Sequence, residues 1–571
     1  MQKEKWMVAG KKADFAAIGK KYGIDQVTAR IIRNRDIIED KTIDKFLNGT
    51  LTDLYSPHLM KDMDKLIAIL KQKIQEKKFI RIIGDYDIDG IQSTYILLKG
   101  ISRVGGNVTA AIPDRMKDGY GINESLITKA KEEGMDTIIT CDNGIAAIDA
   151  IAYAKKLGLT VLVTDHHDIP YIEENGIRTY KESQADAIVN PKQEACGYPF
   201  SGICGAVVAF KVIQALYEAF DIEGKEVMDF LENAAFATIG DVMDLQDENR
   251  IIVKYGLEQM RQTKNAGLSA LMLQKEVAPE KLSAYHIGFV LGPCINASGR
   301  LDTAVRSLQL MLADKIKAAA LAVELADLNE ERKVMTAEGV ENAIALIEKE
   351  EIAQDSVMVI YLPKLHESLA GIVAGRIREQ YNKPVFVLTD AEEGVKGSGR
   401  SIENYSMYEE MCKCQELYSK FGGHPMAAGL SLPKENVEKF RKAINANAML
   451  TEEDFIPKIL IDVPMPLSYV TKELIKELEI LAPFGKGNPK PVFADKNIVV
   501  REKRIVGRNR NVLKMTIEDV YKNRYSAVYF GDAEGMMRFL EEKECISIVY
   551  YPEINEYMGK EEIQFVISNY C

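Results

Sequence analysis

Through the first 240 residues, short apolar runs of strand length alternate with longer stretches of helical periodicity. That alternation predicts a parallel sheet with helical crossovers. Phe79 to Ile83, Val108 to Ile112, Thr137 to Thr140 and Thr160 to Thr164 are expected strands, and each runs into a polar cluster: DYDIDG, PDR, CDNG and DHH. Ligands of open α/β sheets gather at the carboxyl ends of the strands, so segments distant in sequence can converge on one crevice. Residues from about 225 to 345 read as mostly helical, and Asp314 to Glu350 reads as one long connecting helix with no Gly or Pro before Gly339. A second α/β unit follows from about 355 to 448, with SVMVIYLP as a strand and a Gly-rich FGGHPMAAG. From Ile456 to Cys571 short β runs alternate, which predicts a small barrel.

Composition narrows the class. A chain of 571 residues with 47% hydrophobic content is too long for a single core. No stretch reaches the roughly 18 apolar residues that span a bilayer, and MQKEKWMVAG lacks the apolar core of a signal peptide, so a cytoplasmic protein without a membrane partner is expected. The eight cysteines form no CxxC pair and read as reduced thiols. A net charge of −12 argues against coating nucleic acid with the whole surface, yet leaves room for a local basic channel.

The candidate chemistry begins with Asp85, Asp87 and Asp89, three carboxylates within five residues at a strand tip. Such a cluster repels itself unless something positive neutralises it. Alone, it reads most simply as an exposed acidic turn. Asp142 after a second strand, Asp165, His166 and His167 after a third, and Asp241 in IGDVMD change that reading. Oxygen donors suit Mg²⁺ or Mn²⁺, histidine favours Mn²⁺, and donors from several strands suit two ions set for in-line attack on phosphorus.

The ordered series DYDIDG, PDR, CDNG, DHH and GD, followed by NASGRLD, SGR and FGGHPMAAG, resembles the DHH phosphoesterases, and among them the RecJ family of single-strand-specific exonucleases, over nearly the whole chain. The resemblance implies that Asp87 and Asp89 bind different metals, that Asp142 bridges them, and that His166 and Asp241 complete the ligands of the second metal. Asp85 is either a ligand or a group behind the ligands. His167 contacts the scissile phosphate, and Asp165 either orients the histidines or merely caps its strand. Arg115, Ser398 and Arg400 are expected to form a pocket for a terminal 5′ phosphate, while Arg300 holds the backbone near the metals. His424 is either a substrate contact or a structural histidine of its glycine loop.

Between Lys496 and Arg524 nine basic residues stand against three acidic ones. A basic groove with aromatic platforms is how small barrels hold single strands. Tyr521, Tyr525, Tyr529 and Phe530 lie alongside, although each tyrosine individually reads better as core. The expected architecture is a DHH parallel-sheet catalytic domain over 1–225 with an N-terminal extension, and a helical region over 226–350 that completes the site. A DHHA1-type substrate-binding domain over 351–450 and an OB-fold over 451–571 follow. The expected activity is two-metal, 5′-to-3′ hydrolysis of single-stranded DNA to mononucleotides, in recombination and repair, by a monomer. The resemblance also implies single-strand-binding protein and a RecQ-type helicase as partners. Two other readings stay open: a DHH phosphodiesterase acting on short oligonucleotides or cyclic dinucleotides, and a non-catalytic replication scaffold.

Overall fold

The computed structural model describes residues 4–115, 118–119, 121–174, 177–507, 509–557 and 559–571. Two compact units emerge. One comprises Ser56–Asp241 and Gly256–Pro457; the other comprises Lys5–Tyr55, Val242–Tyr255 and Lys458–Cys571.

The first unit is built on a five-stranded sheet in the order Asn107–Ala111, Phe79–Ile83, Thr137–Cys141, Thr160–Thr164, Ala187–Val189, every pair parallel. Ile82, Ile138, Ile139, Val161, Leu162 and Val163 are all fully buried, as strands covered on both faces require. Strand order reverses between Phe79–Ile83 and Thr137–Cys141, the switch point at which such sheets open a crevice. Helix Ile88–Arg103 packs against Gly205–Ala219 so closely that a Cβ on Gly100 would lie 2.5 Å from Ile213 Cδ1.

The long helix spans Lys315–Lys349, started by the Asp314 carboxylate accepting from the Ile316 and Lys317 N–H groups. Within the same unit lies a second five-stranded sheet in the order Lys420–His424, Ala427–Leu432, Val395–Arg400, Val385–Asp390, Met358–Tyr361.

In the second unit, strands Phe493–Val506, Val512–Glu518, Arg524–Phe530, Lys560–Tyr570 and Ile546–Tyr557 follow one another, and the first pairs again with the last, closing a barrel. Closure leaves no open edge among these five strands. One expectation needs correction. Residues 5–55 do not extend the catalytic domain: Lys5–Val8 pairs in parallel with Lys458–Ile461, and Val27, Ile31, Ile32, Ile43 and Phe46 belong to the barrel's core. Arg35 makes a buried pair with Asp462, its Nη1 2.5 Å from Oδ1. Residues 242–255 likewise leave the helical region, because the buried Arg250 donates to the carbonyls of Phe46, Ile480 and Leu481 at 2.8–2.9 Å.

Candidate metal centre and phosphate cleft

Each acidic side chain is placed by a local backbone reason. Asp87 caps helix Ile88–Arg103, its carboxylate accepting from the Asp89 and Gly90 N–H groups at 3.0 and 3.1 Å. Asp89, on the first turn, accepts from the Gly205 and Ala206 N–H groups at 2.6 and 2.8 Å, at the start of helix Gly205–Ala219. Orphan N–H groups at a helix start hold an anion well. Asp142 follows its strand with φ +60°, a backbone setting that aspartate tolerates better than most side chains. Asp241 ends helix Leu231–Gly240.

These elements gather two donor sets. Asp85, Asp87 and Asp142 form one, Asp89, His166 and Asp241 the other, and Asp142 also groups with His166 and His167, with donor atoms in each set within 4.8 Å of one another. His166 Nε2 lies 3.1 Å from Asp142 Oδ1, 3.5 Å from Asp89 Oδ2 and 3.7 Å from Asp241 Oδ2.

The electrostatics fit a cation. Burial, then the charge of Asp87, pushes the Asp85 carboxyl well above its usual range, and neither of its buried oxygens accepts a hydrogen bond of normal geometry. Asp142 is pushed well up too, by burial and then by Asp89, Asp87, Asp85 and Asp241. Burial drives the His166 imidazole down, keeping it neutral with a lone pair to offer. Buried carboxylates crowded together, beside a neutral imidazole, are what divalent cations stabilise.

The neighbouring pair differs. Asp165 Oδ1 accepts from the backbone N–H groups of His166 and His167 and lies 2.8 Å from His167 Nδ1, while its Oδ2 accepts from the Ile145 N–H. Asp165 thus joins none of the donor groups and holds both histidines in place. Burial alone would lower the His167 imidazole, but the hydrogen bond and charge of Asp165, with Asp241 and Asp89, raise it to about 9.

Three of the expected arginines converge. The Arg115 guanidinium lies 4.9 Å over the Tyr86 ring. Arg300 donates to the Ser368 carbonyl at 2.8 Å, and burial, then Arg115 and Arg332, pulls it down to about 10. Arg400 donates to the Gly399 carbonyl at 2.7 Å and is lowered by burial, then by Arg115 and Arg378. Arg300 and Arg400, each lowered in part by the charge of Arg115, mark with it a site for a polyanion. Ser398 stands two residues from Arg400 on the same strand, hence on the same face. His424 does not join this group; it is exposed, with Nδ1 3.9 Å from Asp168 Oδ2. On the barrel, Arg501 and Arg524 pair with Glu518, and Arg510 with Glu534. Arg508 lies outside the described residues. Tyr525 and Tyr529 pack edge-on against Phe565 and Tyr570, whereas Tyr521 and Phe530 are exposed.

Sequence reading overlooked the supports. Asn296 accepts from the Ile88 N–H at 2.8 Å, and Asn143 donates to the carbonyls of Ile83 and Cys141. A Cβ on Gly205 would lie 2.7 Å from that of Asp142. The asparagine of NASGR and the glycine of SGICGA were the available signals.

Three family models match the chain: the DHH family, N-terminal domain, over residues 79–238, the DHHA1 domain over 354–449, and the RecJ OB domain over 461–569. The single-stranded-DNA-specific exonuclease RecJ of Bacillus subtilis (strain 168) is 36% identical over 551 residues, covering 96% of this chain and 68% of the relative. The same-named protein of Salmonella typhimurium is 30% identical, covering 95% of each. The crystal structure of RecJ from Thermus thermophilus in complex with Mn²⁺ superposes with a TM-score of 0.84 at 24% identity, over 99% of this chain and 79% of that one.

Proposed function

The chain belongs to the RecJ family of DHH phosphoesterases, and from that premise we infer that it is a metal-dependent exonuclease that degrades single-stranded DNA from its 5′ end to mononucleotides, in recombination and repair. The observation that carries this reading is the two donor sets at the switch point of the sheet, one containing Asp142 and the other linked to it through His166, whose Nε2 lies 3.1 Å from Asp142 Oδ1. Asp85, Asp87 and Asp142 would hold one Mn²⁺ or Mg²⁺, and Asp89, His166 and Asp241, with Asp142 shared, would hold the other. The chemistry such a pair of cations would supply there is a more acidic water and neutralisation of charge at the phosphate. His167, aimed by Asp165, donates to the scissile phosphate as charge develops on its oxygens. Arg115, Ser398 and Arg400 receive the terminal phosphate and Arg300 holds the backbone beside it, while His424, exposed near Asp168, contacts the strand outside that pocket.

The barrel retains the single strand, and the protein works in the cytoplasm as a monomer, with single-strand-binding protein and a RecQ-type helicase as its partners. Among the described residues no helix is long and apolar enough to cross a membrane. Digestion of 5′- and 3′-labelled single strands beside a duplex, with each metal, tests the activity. Loss should begin at the 5′ end of the single strand alone, and duplex or 3′-end degradation would overturn the reading. Arg400→Ala should lower activity more on 5′-phosphorylated than on 5′-hydroxyl strands; equal losses would remove the end pocket.

A further inference from the structure

The helix that follows His286 begins with one turn of π geometry, Ile287–Leu291, and continues as Gly292–Leu301. Single turns of this kind recur at functional sites. Its inner face runs along the acidic loop. A Cβ on Gly299 would lie 2.4 Å from the Tyr86 carbonyl oxygen, and Asn296 accepts from the Ile88 N–H. A Cβ on Gly292 would lie 3.1 Å from Ile88 Cδ1, and one on Gly288 3.8 Å from Ile239, two residues before Asp241. Arg300 stands near one end of this helix.

At the other end, facing outward, are Tyr285 and Phe289, 62% and 72% exposed. Their rings are stacked, with centroids 5.2 Å apart and planes inclined by 27°. Ile287 and Leu291 of the same turn are buried, so the turn is anchored and its aromatic pair is left in water. Two large rings held together in solvent are costly to leave uncovered.

We propose that Tyr285 and Phe289 form a stacking platform for an unpaired base of the substrate strand, a subsite separate from the end pocket. This rests on the single-strand reading above. Phe289 and Arg300 are 11 residues apart along a continuous helix, about 16 Å at 1.5 Å per residue. The platform therefore meets the strand some nucleotides away from the terminal phosphate. Stacking is indifferent to base identity, which suits an enzyme that must accept any sequence. A paired base hides its faces within the duplex stack, so the same platform also favours single strands.

The test uses the full chain with its metal and the double variant Tyr285→Ala/Phe289→Ala. A base stack removed by alanine typically loses an order of magnitude in affinity, so KM for a long single strand should rise about tenfold while KM for a trinucleotide moves by less than about twofold. Single strands carrying one 2-aminopurine at successive positions should show fluorescence quenching that peaks several nucleotides from the 5′ end in the wild type and vanishes in the variant. Tyr285→Phe/Phe289→Tyr should restore both readings. Unchanged KM and quenching in a folded variant, or equal losses on long and short strands, would overturn the platform. Failure of the wild type to digest single strands at all would instead overturn the function on which it rests.

Discussion

Two concentrations of like charge, at the end of the catalytic sheet and on the closed barrel, are built in opposite ways. The aspartates of the sheet are almost completely buried, Asp85 at 1%, Asp89 at 0% and Asp142 at 2% exposure, and burial, then the charge of neighbouring carboxylates, pushes Asp85 and Asp142 well up. The basic residues of the barrel are largely in water, and three of them are answered by Glu518 and Glu534. Buried like charge is severe, and a bound cation is the direct remedy. Exposed like charge is cheap and screened, and it serves a long polyanion that binds through many weak contacts. On the proposed function the first cluster serves chemistry and the second retention.

The strongest break between the two is Asp142→Ala. Removing the carboxylate proposed to serve both cations should lower turnover by at least about a thousandfold, several kcal/mol in the barrier. Single-strand affinity, measured on the same preparation, should change little; retention of a tenth of the turnover would contradict the shared role.

Glu232 sharpens the comparison from within the catalytic unit. It is also a buried carboxyl, 5% exposed, with one oxygen accepting from Thr263 Oγ1 at 2.9 Å, but it stands apart from the metal sets. Burial pushes it up to about 7, so it relieves itself with a proton. The folded pKa lies above the unfolded one, so its contribution to stability is complete below the ordinary glutamate range and lost as pH rises through about 7. Glu232→Gln should therefore stabilise the protein by on the order of 3 kcal/mol above about pH 8 and gain nothing below about pH 4. Melting curves of both proteins across that range check it; a pH-independent difference would refute it.

The smallest effect is expected on the barrel, where Arg504 faces Lys514 directly across the ladder. Like charges opposite one another destabilise a sheet, by a few tenths of a kcal/mol to about 1. Arg504→Glu should raise barrel stability by about that amount while weakening single-strand affinity and lowering the salt slope by about 0.7 per lost contact. Stability and affinity that fall together would mean that the pair is structural. A deletion of the barrel is a poorer test, because it would strip the cover from Ile31, Ile32 and Phe46.

The sequence disclosed most where chemistry is local. DYDIDG, CDNG and DHH could be read because each sits just past an apolar strand, and strand ends of one sheet converge. Asp314 and Glu350 bracketed the long helix because capping is decided within a few residues. The N-terminal segment was misread because its partner strand, Lys458–Ile461, lies some 450 residues away, and a single amphipathic helix does not declare which core it covers. The roles of Gly205 and Asn296 were hidden for a related reason: both act through backbone approach to the acidic loop, which only the fold reveals.

The central claim, a two-cation centre shared by Asp142, is met most directly by titrating metal-free protein with Mn²⁺ and recording electron paramagnetic resonance together with calorimetry. Wild type should bind two ions per chain and give the spin-coupled signal of a close pair. Asp142→Ala should lose the coupling and at least one of the two ions. A single uncoupled ion in the wild type, or an unchanged coupled pair in the variant, would contradict the account.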